Sequence, residues 1–206
     1  MLIIVLLLAA MGISLQMKAI IGVAPFDALN QTISFVTGIR VGDVVTFVQV
    51  GFVIAQILLL RKDTNWRIFL QVFVGLLLGQ FVNLFYYFIF DGLVLENYAI
   101  RMVVFIIGCL WVPIFIGSVM VLDLVTMPVE NFAMVLSNKT DFTFGQVRQA
   151  VDIVCVIIAL TLTFVFSKPL TIREGTIISA LTFGPLLSFY MPKVERQFRK
   201  WELISY

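Results

Sequence analysis

The chain contains no histidine, and only two cysteines among 206 residues. Cys109 and Cys155 lie far apart inside apolar runs, without the ligand spacing of a zinc or iron-sulfur site. With no imidazole, no paired nucleophile and base and no phosphate-cradling loop, neither enzymatic activity nor a resident metal or cofactor is expected. Charge is scarce too: Asp, Glu, Lys and Arg together make 13% of the chain, about half the share of a soluble domain. A net charge of +2 carried by scattered basic residues argues against nucleic acid as a partner. The opening MLIIVLLLAAMGIS lacks the basic flank and small-x-small cleavage site of a signal peptide, so it is expected to stay as a first span.

What is abundant is apolar surface. At 61% hydrophobic residues and a mean hydropathy of +1.08, residues 1–206 are expected to form one all-α, polytopic integral membrane domain. A bilayer core about 30 Å thick takes roughly 20 apolar residues per helix. Windows of that length fall near 2–22, 42–61, 67–90, 99–124, 145–166 and 171–191. Six spans place both termini on one side. Nine of the Lys and Arg residues would then lie on that side and five on the other, which predicts N-in, C-in insertion. The basic run from Lys193 to Lys200 fits contact with anionic headgroups.

Two places break this pattern in the same way. In Gly22-Val23-Ala24-Pro25-Phe26-Asp27 and Val125-Thr126-Met127-Pro128-Val129-Glu130, a proline is followed two residues later by a carboxylate. Proline suits the first helical turn, and an acid there is favoured by the helix dipole, so each motif predicts a helix restarting after a break. Apolar residues at helical spacing then predict short amphipathic helices over 25–37 and 128–137. A shift of 103 residues superposes Pro25 on Pro128, Asp27 on Glu130 and Gly42 on Gly145. A shift of 105 superposes Gly12 on Gly117, Lys18 on Asp123, Gly75 on Ala180 and Gly79 on Gly184. Two repeats, about 1–92 and 98–206, follow. With three spans each they must enter the membrane from opposite sides, as inverted repeats.

The runs Gly12-x5-Lys18-Ala19-x2-Gly22-Val23-Ala24-Pro25-Phe26-Asp27, Gly38-Ile39-x2-Gly42 and Gly175-Thr176-x3-Ala180-x3-Gly184-Pro185 resemble the YitT/YczE-like integral membrane proteins of bacteria. That resemblance implies a cytoplasmic-membrane protein with duplicated hydrophobic halves, a transporter or accessory factor without an agreed substrate. The second half departs from the pattern, with Val125 where the first has Gly22.

Ionisable groups within a membrane are functional candidates by default. Arg148 and Asp152, four residues apart, share one helical face and can form an ion pair that either relays protons or substrate, or pins helices together. Lys18 and Asp123, opposite in charge at equivalent repeat positions, are expected to meet across the bundle centre. Asp27 and Glu130 either stabilise the helices they begin or, with Pro25, Pro128 and Asn30, form a ligand site at unwound backbone, for an anion on amides or a cation on carboxylates. Gly42, Gln49 and Gln56 recur every seven residues and should face protein, as should Gly75-x3-Gly79 with Gln80 and Asn83. The aromatic run Phe81 to Phe90 is expected to face lipid.

Three functions stay open: a small secondary transporter of an unknown solute or ion, an accessory or assembly protein acting through helix contacts, and, least favoured, a membrane enzyme. The lipid bilayer is the expected partner, and a bundle this thin is compatible with a homodimer.

Overall fold

A computed structural model describes residues 1–61, 64–122 and 126–200. Among them the chain is all helical: α1 (Leu2–Ala19), α2 (Pro25–Thr37), α3 (Val41–Leu60), α4 (Arg67–Leu84), α5 (Tyr98–Val121), α6 (Pro128–Ser137), α7 (Phe144–Val165) and α8 (Glu174–Lys200). Six of these are long and apolar enough to cross a membrane, which makes this a membrane protein in character. The two short helices begin at their prolines, Pro25 and Pro128, as the sequence predicts.

Two ends differ from expectation. The last helix does not stop near 191 but runs to Lys200, through Pro185 and Pro192. An internal proline removes one backbone hydrogen bond without ending a helix whose neighbouring turns still bond. The basic residues after 192 are therefore helical turns, and Arg199 donates to Glu195 at 2.7 Å. The aromatic run is also not simply lipid-facing. After α4 the chain passes into a π-helical turn over Phe85–Ile89, closed by Phe90 N–H donating to the Phe85 carbonyl at 2.8 Å. Phe85 is buried, and the Tyr87 hydroxyl accepts from Val41 N–H at 3.1 Å. Phe88 and Ile89 do point outward.

The packing centres on α1 against α5, where small residues let the helices approach. Gly12 lies against Trp111, whose indole N–H donates to the Leu8 carbonyl at 2.9 Å. α4 flanks α1 and α8 flanks α5, while α2 packs on α7 and α3, and α6 packs on α3 and α7. α3 lies along the whole of α4, but α7 and α8 barely touch.

The polarity is inside out, as a lipid solvent requires. Phe47, Leu58, Phe73, Phe164 and Ile177 are exposed, whereas Asn30, Gln49, Gln56 and Gln71 are buried. Between α1 and α2 the extended link is held to α8: Gly175 N–H donates to the Ile21 carbonyl at 3.0 Å. Gly22 sits there at φ 131°, and a Cβ would lie 2.6 Å from Thr176 N, so only glycine fits.

The heptad polar face of α3 meets protein as expected. Fully buried Gln56 donates to Gln71 Oε1 at 3.2 Å and to the Pro128 carbonyl at 2.9 Å, and accepts from Asn131 Nδ2 at 2.7 Å. One side chain thus joins α3, α4 and α6. Gln56→Leu strands three partners, Gln71, the Pro128 carbonyl and Asn131, and should lower stability by about 1–3 kcal/mol, read by thermal unfolding in detergent. An unchanged transition would mean that these three groups find other partners.

Candidate functional site

The second proline break starts α6, and Glu130 is its third residue, 3% exposed. α7 runs alongside and presents Arg148 one turn past its capped start. Thr143 and Gln146 cap that start reciprocally, satisfying two amides and setting the helix register. Arg148 forms the expected ion pair with Asp152 and is also 3.7 Å from Glu130 through Nε. Its guanidinium lies 5.8 Å from the Phe183 ring centre on α8. Asp27, buried on α2, is within electrostatic reach of Arg148, Glu130 and Asp152.

Two carboxyl groups, Glu130 and Asp152, therefore flank one guanidinium, with a third, Asp27, in its electrostatic range. Burial pushes the Asp27 carboxyl up to about 7, against the opposing pull of Arg148, and burial raises Glu130 likewise. These two residues sit on the short helices, outside the six spans.

The cluster faces a cavity of about 810 Å³ that fills the gap between α7 and α8. Pro25, Glu130, Arg148 and Asp152 line one wall, and Phe183, Gly184, Pro185 and Ser188 the other. Along α7 it reaches from Phe144 to Ile157, roughly 20 Å at 1.5 Å per residue. Most of the lining is apolar, and Met120, Met134 and Met191 contribute adaptable side chains. Glu130 Oε2 and Arg148 Nε are buried without a hydrogen-bond partner. Among the described residues no three of His, Cys, Asp and Glu stand close enough to share a metal ion.

Among the other predicted site residues, Asn30 is fully buried one turn along from Asp27, and neither amide atom has a partner. Pro128 contributes its carbonyl to Gln56. Lys18 is elsewhere: its ammonium lies 4.6 Å from the Tyr86 ring centre, at the π-helical turn and away from the acid cluster. Asp123, its expected partner, lies outside the described residues.

Residue spacing did not single out Phe183, Gln149 or Ser188 as site residues, although all three line the cavity. A signal existed in Gly145 and Gly184, which the repeat shifts pair with Gly42 and Gly79. Gly42 and Gly79 are in backbone contact: a Cβ on Gly42 would lie 1.9 Å from the Gly79 carbonyl oxygen. Around Gly145 and Gly184 nothing lies within 4 Å of that position, and both border the cavity.

Comparison with known proteins leaves its chemistry open. No solved structure matches the chain. It is 25% identical over 193 residues to the uncharacterised protein YyaS of Bacillus subtilis, covering 94% of this chain and 92% of that one. Neither this relative nor the matching family carries the YitT/YczE-like name that the motifs suggested. Residues 1–192 match DUF6198, described as a family of unknown function, and the chain belongs to that family.

Proposed function

We propose that this protein is a small secondary transporter of the bacterial cytoplasmic membrane, N-in and C-in, built from two inverted three-helix repeats with its site at the broken helices. α1, α3 and α4 then correspond to α5, α7 and α8, and α2 to α6. Packing supports the correspondence: α1 meets its own counterpart α5, α2 packs on α7 as α6 packs on α3, and α1 flanks α4 as α5 flanks α8.

The observation that carries the reading is the one departure from that symmetry. α3 and α4 are closed on each other at Gly42 and Gly79, while α7 and α8 stand apart at Gly145 and Gly184. Two halves of one duplicated unit caught in opposite arrangements are what alternating access needs. The cavity lies along the half of α7 nearest its start, from Phe144 to Ile157, the end that the distribution of Lys and Arg assigns to the cytoplasm. Exchange of the two arrangements would close α7 on α8 at their glycines and part α3 from α4.

The test is a Gly145→Cys/Gly184→Cys pair, with Cys109 and Cys155 replaced by alanine, in proteoliposomes. A short bifunctional thiol reagent should join the two helices in a substantial fraction of molecules. Absence of any cross-link over hours would make the cleft static and favour an accessory protein acting through helix contacts.

A further inference from the structure

We infer that the cavity between α6, α7 and α8 binds a lipophilic organic monocation, its charge met by the carboxylates at the mouth of α6 and α7 and its apolar body by α8. The inference rests on the transporter reading for its consequence, namely that such a cation is the transported solute.

Four observations converge. Glu130 is 3% exposed, borders the cavity and keeps one carboxylate oxygen without a partner. An unpaired buried oxygen costs free energy that a cationic ligand recovers. Arg148, the one cation among the described lining residues, lies between Glu130 and Asp152, so the wall carries two carboxyl groups to one guanidinium, a balance that favours a cation over an anion. Among the described residues no three of the carboxylates converge as metal ligands do, which points away from a bare divalent ion. Finally, the volume of about 810 Å³ is that of a drug-sized site, and its Met and Phe lining suits an apolar body that varies in shape.

α8 adds acceptors on the opposite wall. Pro185 has no N–H for the Leu181 carbonyl and Pro192 none for that of Ser188, and both Leu181 and Ser188 line the cavity. Backbone carbonyls left without an intrahelical donor thus belong to residues on the wall opposite Glu130, and Phe144 and Phe183 add aromatic rings to the lining.

Tetraphenylphosphonium and tetraphenylborate have one shape and opposite charge. With the purified full chain in detergent, labelled tetraphenylphosphonium should bind saturably at one site per chain, and unlabelled tetraphenylborate should not displace it. Glu130→Gln should weaken binding about tenfold or more, Glu130→Asp less, and Asp91→Asn, in an exposed loop outside the cavity, not at all. If Glu130→Gln does not elute as a folded species, Phe183→Ala serves instead and should also weaken binding. Equal binding of both probes, or no saturable phosphonium binding by the folded parent, overturns the inference. Absent phosphonium binding, with the α7 to α8 cross-link still forming in the double-cysteine variant, removes the substrate class and leaves the transporter. Binding without any cross-link does the reverse.

Discussion

Alanine at Gly42 should destabilise the protein severely, while alanine at its repeat counterpart Gly145 should not. At Gly42 the new methyl would lie 1.9 Å from the Gly79 carbonyl oxygen and 2.7 Å from Asn83. The first of these is backbone, which cannot rotate away, so α3 and α4 must part. Parting them breaks the bond from Gly42 N–H to Asn83 Oδ1, 2.8 Å, and disturbs the link from Asn83 Nδ2 to Asp43, 2.9 Å. Overpacking of this kind costs up to about 3 kcal/mol and sometimes more. The helix propensity that alanine adds, about 1 kcal/mol, works in the other direction and is too small to offset it. Gly79→Ala should behave alike, with its methyl 2.2 Å from the Gly42 carbonyl oxygen. Gly145→Ala and Gly184→Ala meet open space and should leave the thermal transition in detergent unchanged or slightly raised. Similar losses at all four glycines would mean that α7 and α8 are normally closed.

Arg148→Gln should be the most damaging polar substitution. It leaves Glu130 and Asp152 facing each other without their shared cation, with Asp27 close by. Removing one partner of a buried ion pair costs about 3–5 kcal/mol, more than the pair contributes when intact, because the remaining charge stays desolvated. Neutralising the partners as well should therefore restore much of the loss. The triple variant Arg148→Gln/Glu130→Gln/Asp152→Asn is expected to unfold at a temperature between those of the single variant and the parent. A triple variant no more stable than Arg148→Gln would show that the arginine acts through its contact with Phe183 and not through its ion pairs. Measuring both variants in one detergent separates the two causes, since the packing loss is common to them.

Local signals were legible wherever one residue type decides a local geometry. Proline at the first helical position, followed by an acid, started α2 at Pro25 and α6 at Pro128. Long apolar windows located the spans to within a few residues, since lipid thickness sets helix length. The α3 face of Gly42, Gln49 and Gln56 was buried as its period predicted. The end of α8 was misjudged, because helix propensity in its charged final turns outlasts the local break at Pro192. The expected pairing of Lys18 with Asp123 falls on a residue outside the described ones; the contact of Lys18 with the Tyr86 ring at 4.6 Å is announced by nothing in the order of residues.

Solvent and span number follow from composition alone, because a chain with 61% hydrophobic residues and 13% charged ones cannot remain folded in water as separate helices. The positions at which helices start and stop also follow, because proline and glycine act on their own backbone. Which helices touch does not. The gathering of Asp27, Glu130, Arg148 and Asp152 from α2, α6 and α7, and the gap beside them, depend on α7 leaning on α2 and α6 while α8 leans on α5. That choice is made by the summed close packing of many side chains over long sequence separations, and in lipid such packing, rather than hydrophobicity, drives helix association.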